Sequence, residues 1–502
     1  MAKLVAIGDS LTQGFQSGGI SQEGADWSYP AMVARALGLS TSSPGNLDLS
    51  DFRVPILPGD GIPLNIKHLL DACSSGGLGD TISSAKEWGK FAQLAATYAD
   101  KIEDFYERED GAIDRVSGFR GSYHNLAVFG FRVVDTFKVN PAYCLEVIQQ
   151  DKGSRKDDLL GLPGAPMYRT AYRVLNPGNN RSQRRLALTQ VQTLKQIYEQ
   201  EGVENLILFL GGNDCLETAV KLSLNKMPDI FDSDDPKERR QFNLTSPGVF
   251  ERDYRTLVDE IIDIIGTETQ VFVGTVPDVT IPPISKGLGE QDNNGIYDKY
   301  GGFYANQDLS LPCLERSLKR EEVKGIIESI DQFNEIIKRI VKEAGDNWHI
   351  VDTGGILKTV AVKRNHALES PSDPLREYLQ NSWEKGNGPH PLLTHPLLKD
   401  KPLPNALLLE SRNNERVSGG LFSLDCVHPT TVGYGLIAEA ILRVMKDAGV
   451  PGASPQSLDW DGIISRDTLL TKPPVLWDDV LEAADNAAMV WDIILKTMSL
   501  FS

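Results

Sequence analysis

The sequence predicts an α/β fold, in which a parallel β-sheet is covered by helices on both faces. Five short apolar runs have the composition of strands that are buried on both sides. Segments with a helical spacing of apolar residues lie between them, and these connections are long enough for crossover helices. Five parallel strands joined in this way fit a flavodoxin-like three-layer sandwich, with room in the chain for large loop and helical insertions.

The predicted strands are short, and most end at a glycine or a polar residue. They cover residues 4–7, 125–129, 203–210, 270–276 and 348–352. The predicted helices carry apolar residues on one face, and Gly38 and Gly202 end two of them. They cover residues 29–38, 82–106, 181–202, 243–266, 321–344 and 432–448.

We expect residues 1–450 to form one domain, and residues 451–502 to form a linker, at 452–474, and a final helix, at 475–501. Stretches rich in glycine, proline and serine, together with long connections, indicate three insertions in the first domain. They lie at about 39–123, 277–318 and 355–424. Insertions of this length in a compact domain are usually functional, so we expect lids or binding loops among them.

The composition is that of a globular protein and narrows the range of partners. With 502 residues, of which 41% are hydrophobic, the chain can bury a large core. The net charge of −18 disfavours nucleic acids and anionic membranes, which bind basic patches. No apolar run reaches the ~18 residues that span a bilayer. Since no secretory leader precedes the first strand, we expect a cytoplasmic location, or secretion if a leader has been removed.

The cysteines indicate neither a zinc site nor a disulfide framework. Their number is odd and no pair has the Cys-x-x-Cys spacing, so we expect free thiols. They are Cys73, Cys144, Cys215, Cys313 and Cys426. We expect no cofactor, and the sequence leaves the oligomeric state open.

The first predicted strand leads into the sequence Gly8-Asp9-Ser10. In an open α/β sheet, ligands bind at the carboxyl ends of the strands, which is where this sequence lies. A serine at that position exposes its hydroxyl at the rim of the sheet, and Gly14 lets the chain pass close by. Taken alone, Gly-Asp-Ser is also an ordinary turn sequence.

Three further blocks follow along the chain. The segment 125–130 ends a predicted strand at Gly130, and a second apolar strand ends in Gly-Gly-Asn213-Asp. Asp425 precedes His428 by three residues, just before a predicted helix. Each block alone also fits a structural role, as a strand-ending glycine, a turn or a helix N-cap.

These four blocks, in this order, resemble the motif blocks of the GDSL, or SGNH, hydrolase family. The resemblance implies a flavodoxin-like fold and ester hydrolysis by a serine nucleophile. It also implies roles in the site for five residues, namely Ser10, Gly130, Asn213, Asp425 and His428.

The same residues supply what acyl transfer to water requires. Ser10 is the candidate nucleophile, and a serine hydroxyl needs a hydrogen-bonded base at neutral pH. His428 is the candidate base, because its usual pKa of about 6.5 suits both taking and returning a proton. Asp425 can approach Nδ1 of the ring, fix its tautomer and stabilise the imidazolium. The candidate oxyanion donors are the backbone N–H groups of Ser10 and Gly130 and the side-chain amide of Asn213.

Two other classes of function remain open at this stage. Asp9, Asp214 and Asp278 all follow predicted strands, and carboxylates at strand ends can hold a divalent cation. The serine triad explains more residues than this metal site does. A binding protein that keeps the motifs without turnover is the other alternative.

The substrate is expected to be a small-molecule ester that carries an acyl chain or an acetylated sugar. The third insertion leads into the Asp425–His428 block and is rich in leucine, which favours a medium or long acyl chain. These residues are Leu392, Leu393, Leu397, Leu398, Leu403, Leu407, Leu408 and Leu409. A carbohydrate O-deacetylase is the rival hypothesis, with sugar-stacking aromatics at Tyr297, Tyr300, Phe303 and Tyr304. The same triad also serves acyl transfer to an acceptor other than water.

Five of the six other histidines lie in the insertions, near them or inside the fifth predicted strand, and we do not expect them to be catalytic. They are His68, His124, His349, His390 and His395.

Overall fold

The computed structural model describes most of the chain. The described residues are 3–42, 47, 50–113, 119–154, 162–303, 316–364, 370–371, 373–384 and 386–482.

The strands of the described residues form one parallel sheet and several small antiparallel pairs. They are β1 Val5–Gly8, β2 Gly19–Ile20, β3 Ile62–Pro63, β4 Asn205–Phe209, β5 Gln270–Gly274, β6 Ser285–Gln291, β7 Tyr297–Gly302, β8 Leu318–Lys319, β9 Trp348–Val351, β10 Glu410–Arg412 and β11 Glu415–Ser418.

The helices of the described residues range from single turns to segments of 25 residues. They are α1 Ser10–Gln13, α2 Gln22–Asp26, α3 Tyr29–Ala36, α4 Ile66–Cys73, α5 Ala85–Glu107, α6 Asp135–Lys138, α7 Pro141–Ser154, α8 Pro166–Leu175, α9 Gln183–Leu186, α10 Gln190–Glu201, α11 Leu216–Lys221, α12 Pro236–Arg239, α13 Pro247–Ile265, α14 Arg320–Ala344, α15 Thr353–Val360, α16 Asp373–Ser382, α17 Pro391–Thr394, α18 Thr431–Asp447, α19 Trp460–Arg466, α20 Thr468–Thr471 and α21 Trp477–Glu482.

The main sheet has four parallel strands in the order β1-β4-β5-β9. Val5 pairs with Leu206, Leu206 with Val271, and Val271 with Trp348. All four side chains are buried, as the apolar runs predict for strands that are covered on both faces. An α/β fold with a parallel sheet is therefore confirmed.

The prediction of a fifth strand at 125–129 is not confirmed. This segment runs beside β1 and makes one isolated parallel bridge, between Ala6 and Asn125. The N–H of Leu126 donates to the Ala6 carbonyl (2.9 Å), so the segment occupies an edge position of the sheet. It stays irregular because Oδ1 of Asn125 accepts from the Ala127 N–H (3.2 Å), a local bond that competes with regular pairing.

Two groups of helices contact the sheet. α3 packs against α18, which reaches β5 and β9, whereas α10, α13 and α14 pack together and reach β1 and β9. Val323, Ile330 and Ile337 illustrate the buried stripe of α14, with apolar positions seven residues apart. The flavodoxin-like layering itself stays a prediction.

The predicted insertions contain secondary structure of their own. The first holds α4 and α5, and α5 begins with a capping box between Ser84 and Glu87. The second holds the β6–β7 hairpin, and the third holds α15 to α17 with the β10–β11 pair. Leu69, Tyr300 and Leu375 are buried in one core cluster with the sheet. The insertions are therefore packed elements of the fold.

The segment after residue 450 packs on α18. Residues 452–474, expected as a linker, include α19 and α20, and the side chains of Trp460 and Ile464 are buried. Asp467 accepts a hydrogen bond from the Val432 N–H at the start of α18 (2.8 Å). Of the final helix predicted after 475, only α21 lies within the described residues. The domain boundary at 450 stays a prediction.

Two other expectations concern the whole chain. Among the described residues, no helix combines the length and apolar character needed to cross a membrane. Cys73, Cys144, Cys215 and Cys426 are buried free thiols, and Cys313 lies outside the described residues.

Candidate active site

The turn after β1 places Ser10 at the start of a short helix. Gly8 is required there, because a Cβ would lie 2.0 Å from Oγ1 of Thr12 and 2.9 Å from the Phe209 carbonyl oxygen. The Asp9 carboxylate accepts from the Leu11 N–H (3.0 Å) and so caps α1. As the first residue of α1, Ser10 has a backbone N–H without an intrahelical acceptor.

His428 is held by Asp425 in a buried pair. Oδ2 of Asp425 lies 3.0 Å from Nδ1 of the ring. Oδ1 accepts from the N–H groups of Val427 (2.9 Å) and His428 (2.8 Å). Burial opposes ionisation, yet the imidazole and the N–H donors hold the pKa of Asp425 below its usual value. The carboxylate is thus kept charged beside the ring.

The loop that carries this pair is held together by hydrogen bonds between its own residues. The Ser423 N–H donates to the His428 carbonyl (2.8 Å), and Thr430 donates its N–H to Leu421 (3.0 Å). Thr430 also caps α18. Between the paired residues, Cys426 has a φ of +62°, an unfavourable conformation for a residue with a Cβ. The loop therefore stores strain where the site is built.

The turn that follows α1 contacts the loop of Asp425 and His428 directly. The Gly18 N–H donates to Oδ2 of Asp425 (2.9 Å), and the Ser17 N–H donates to Oγ of Ser423 (2.9 Å). The ring of Phe15 lies 4.6 Å from the His428 ring, centroid to centroid. Residues that follow Ser10 thus orient both members of the Asp425–His428 pair.

Asn213 lies in a tight turn at the end of β4. Gly211 has a φ of +110°, and a Cβ there would lie 2.7 Å from Val276, so the turn needs a glycine. Nδ2 of Asn213 donates to the Phe131 carbonyl (3.0 Å), which fixes the amide and leaves its second hydrogen for another acceptor.

Gly130 is placed beside this turn, but it does not line the cavity that holds the other candidates. Its φ is +76°, and its carbonyl accepts from Nη2 of Arg240 (3.2 Å). The preceding Phe129 N–H donates to Oε1 of Gln13 in α1 (3.0 Å). The next residue is Phe131, whose carbonyl holds Asn213. Gly130 is therefore tied to both neighbouring blocks.

One cavity of about 990 Å³, its open mouth included, connects the candidate residues. It runs along the carboxyl ends of all four parallel strands, with Ser10 after β1, Asn213 after β4, Val279 after β5 and Leu357 after β9. His428 lines the same cavity. Ser10, Asn213 and His428, which are remote in sequence, are thus brought together at the edge of the sheet where ligands bind in such folds.

A family model described as GDSL-like Lipase/Acylhydrolase matches residues 4–441. The chain belongs to this family. No curated protein and no solved structure shows significant similarity to it. GDSL-family membership makes this chain a hydrolase of the general class that acts on small-molecule esters, and it confirms the resemblance drawn from the four motif blocks.

A buried carboxyl that sequence reasoning did not assign to the hydrolase site is Asp9. Burial raises the pKa of Asp9 to about 7, and the Asp214 carboxylate adds to the rise. The Leu11 N–H and the His428 ring act in the opposite direction and lower this pKa. Asp9 therefore carries a proton for part of the time at neutral pH, next to the candidate base. Only packing against residues far along the chain creates this environment, so the local sequence carries no signal of it.

The aspartates considered for a metal site are engaged by protein donors. Asp214 accepts from Oγ1 of Thr245 (2.8 Å), and Asp278 pairs with Nη2 of Arg364 (3.0 Å). Among the described residues, no group of three or more His, Cys, Asp or Glu side chains is arranged to hold a metal ion.

The apolar lining of this GDSL-family cavity comes from other residues than the leucines singled out in the sequence. None of those eight leucines lines it. The third insertion contributes instead through its two ends, with Ile356, Leu357 and Val360 on α15, and Leu421 and Phe422 before Asp425. The helical spacing of the three α15 residues, directly after a strand, is the sequence signal that could have found them.

The aromatic residues considered for sugar stacking pack inside the second insertion. Tyr300 is fully buried and Phe303 nearly so, and Nη1 of Arg364 donates to the Tyr300 hydroxyl (3.2 Å). Tyr297 meets Tyr300 edge to face, and Tyr304 lies outside the described residues. None of the three described side chains lines the cavity.

The five other histidines named above also lie off the cavity. Each has a hydrogen-bond partner through a ring nitrogen, the pairs being His68 with Asp60, His124 with Glu201, His349 with Gln270, His390 with Glu439 and His395 with Asp461.

Proposed function

We propose that this protein hydrolyses carboxylic esters with an apolar acyl chain, through a Ser10–His428–Asp425 triad and an acyl-enzyme. One observation carries the proposal. Ser10 and His428 line one cavity whose remaining wall is largely apolar, and Asp425 is bonded to the ring of His428.

Ser10 attacks the ester carbonyl while Nε2 of His428 takes its proton, and the same proton is returned to the departing alcohol. The hydrogen bond to Asp425 keeps the other proton on Nδ1, so that Nε2 carries the lone pair that acts as the base. Asp425 stays ionised throughout and stabilises the imidazolium. Water then attacks the acyl-enzyme by the reverse sequence of proton transfers.

The oxyanion is stabilised by the N–H of Ser10, the amide of Asn213 and the N–H of Gly130. Two features support this assignment: Ser10 begins a helix, and one amide hydrogen of Asn213 is already fixed by Phe131. Donors held in this way need no reorganisation as charge develops. Removing the Asn213 amide is expected to lower kcat about 10²–10³-fold.

The deciding experiment compares Ser10→Ala with the unaltered protein on p-nitrophenyl esters of graded acyl length. Ester hydrolysis is expected to fall to the background rate, since the nucleophile is gone, while the circular dichroism spectrum stays the same. Ser329→Ala is the matched control: this serine is buried in α14, where its hydroxyl donates to the Gly325 carbonyl, and its loss leaves turnover unchanged.

Equal activity in Ser10→Ala and the unaltered protein would overturn the triad. Saturable ligand binding without turnover in either protein would instead support a non-catalytic binding protein. Release of p-nitrophenol that depends on an added alcohol would support acyl transfer. Activity restricted to acetylated sugars would support the deacetylase.

A further inference from the structure

The polar groups that the proposed chemistry uses lie at one end of the cavity. Ser10 and Asn213 follow β1 and β4, and the Asp425–His428 pair is held against Phe15 and Gly18, just after α1. At the other end, the Thr353 hydroxyl donates to the Thr275 carbonyl (2.5 Å), and Asp278 is neutralised by Arg364. A group that enters from the Ser10 end thus meets apolar side chains for the rest of its course.

We infer that helix α15 closes the acyl end of this cavity and sets the longest acyl chain that the enzyme accepts, a saturated medium chain. The inference rests on the proposed function. Ile356, Leu357 and Val360 line the cavity from one face of α15, at the end furthest along the sheet from Ser10.

The spacing of the strands gives the distance between Ser10 and α15. Ser10 follows β1 and α15 follows β9, and these strands are separated by β4 and β5. Neighbouring strands are about 4.8 Å apart, and α15 follows β9 while its first turn is bonded to the end of β5, so two to three spacings amount to about 10–14 Å. An extended chain advances about 3.5 Å for every three bonds, so about 8–12 bonds fill this length. Acyl chains of about 8 to 12 carbons therefore fit between Ser10 and α15, and longer ones meet the helix.

Helix α15 is fixed firmly enough to act as a stop. Its first turn is bonded to the end of β5, where the Gly354 N–H donates to Oγ1 of Thr275 (2.9 Å). Gly354 also passes so close that a Cβ would lie 2.7 Å from the Val276 carbonyl oxygen. On its other side, Lys358 forms an exposed ion pair with Asp331 of α14 (2.7 Å), which adds little to this anchoring. The wall is therefore held mainly through its first turn.

The rest of the cavity wall is also largely apolar. Leu436 and Ile437 of α18 contribute to it, and Leu421 and Phe422 line it beside the loop that carries His428. A carboxylate or ammonium group at the far end of a chain would lose its hydration there without gaining a partner. The selected substrate class is thus neutral, unbranched medium-chain esters.

The test is the variant Leu357→Trp, which fills the far end of the cavity while the residues around Ser10 stay unchanged. We measure kcat/KM on p-nitrophenyl butyrate, octanoate, dodecanoate and hexadecanoate. The unaltered protein is expected to prefer octanoate and dodecanoate. In Leu357→Trp, kcat/KM on dodecanoate is expected to fall about 10–200-fold, because each displaced methylene is worth up to that factor, while butyrate stays within about 2-fold.

Leu393→Trp is the matched control. Leu393 is a partly buried leucine of the same insertion, in α17, and it does not line the cavity. This variant is expected to keep the chain-length profile of the unaltered protein. A shift in Leu393→Trp, or an unchanged dodecanoate-to-butyrate ratio in Leu357→Trp, would overturn the inference.

The variant Val360→Ala is expected to change the chain-length preference in the opposite direction. Its result does not depend on whether Leu357→Trp folds. Shortening this side chain opens the end wall, so kcat/KM on hexadecanoate relative to dodecanoate is expected to rise; an unchanged ratio would also overturn the inference. The proposed function fails separately, if Ser10→Ala keeps its activity on every chain length.

Discussion

At the scale of single residues, the surroundings of Asp9 make the stability of the protein depend on pH in a way that the proposed triad alone does not. Burial raises the pKa of Asp9 to about 7, so the folded protein holds a proton that the unfolded chain releases near pH 4. The folded state binds more protons than the unfolded one between these values. The contribution of Asp9 to the free energy of unfolding therefore falls as the pH rises through this window, by about 4 kcal/mol at most.

The variant Asp9→Asn is expected to remove this loss of stability at higher pH. An asparagine keeps an oxygen for the Leu11 N–H but carries no charge, so the variant is expected to be more stable than the unaltered protein at pH 8 and equal to it near pH 4. Urea unfolding at both pH values measures the difference. Asp100→Asn, on the exposed face of α5, is the control and leaves the pH dependence unchanged. Parallel pH profiles of Asp9→Asn and the unaltered protein would contradict the assignment.

Single residues also show what the sequence can predict of the site. Ser10, Asn213 and His428 are recognisable because each closes a short motif block after a strand or before a helix. The raised pKa of Asp9 is not recognisable, since it depends on burial and on Asp214. Gly130 is predicted as an oxyanion donor; it lies next to Phe131, outside the cavity lining, and its role stays a prediction.

At the scale of elements, the turn from Phe15 to Gly18 contacts the Asp425–His428 pair and fixes its position. Gly18 has a φ of +83°, which favours glycine, and its N–H donates to Asp425. Gly18→Ala is expected to cost about 1–2 kcal/mol of stability and, by displacing this donor, to lower kcat. Chemical unfolding and steady-state kinetics measure the two effects.

The variant Gly38→Ala separates the effect on stability from the effect on kcat. Gly38 also has a positive φ, +77°, and a Cβ there would contact nothing within 4 Å. This variant is expected to lose a similar amount of stability and to keep its kcat. A loss of kcat in both variants alike would show that the effect at Gly18 is a general consequence of destabilisation.

Elements also mark where prediction from sequence stops. Four apolar runs became the four strands, because burial on both faces leaves a continuous pattern. The fifth run, at 125–129, is also mostly apolar. Its Asn125 side chain, however, accepts a hydrogen bond from the Ala127 N–H and donates one to the Thr12 carbonyl (3.0 Å). The leucines at 392–409 were predicted to line the cavity, yet Leu392 and Leu409 are buried in the core instead. Composition showed that these residues are apolar and could not show which surface they cover.

At the scale of the whole molecule, the segment after residue 450 is part of the same packed unit as the sheet. Trp460 covers Gly435 of α18, where a Cβ would lie 3.0 Å from its ring, and Nε1 of Trp477 donates to the Leu409 carbonyl (2.8 Å). The buried apolar side chains of this segment are Leu458, Trp460, Ile463, Ile464, Leu469, Leu470, Leu476, Trp477 and Val480.

A chain that ends at residue 450 is therefore expected to lose cooperative unfolding or to aggregate. Each fully buried large apolar side chain is worth about 1.5–3 kcal/mol, and a domain has only about 5–15 kcal/mol in total. A chain that ends at residue 482 keeps all these contacts and is the control. Thermal unfolding of both measures the difference, and equal melting temperatures would show that residues 1–450 fold alone.

The hydrogen bond from Gly18 to Asp425 joins groups 407 positions apart. A ribosome that adds about 5–20 residues per second needs about 20–80 s to make that stretch. Throughout this time the nascent polypeptide carries the proposed serine without its imidazole, and it cannot attack an ester. The proposed triad is therefore incomplete until His428 has been synthesised, and hydrolysis by the proposed mechanism can begin only after that point.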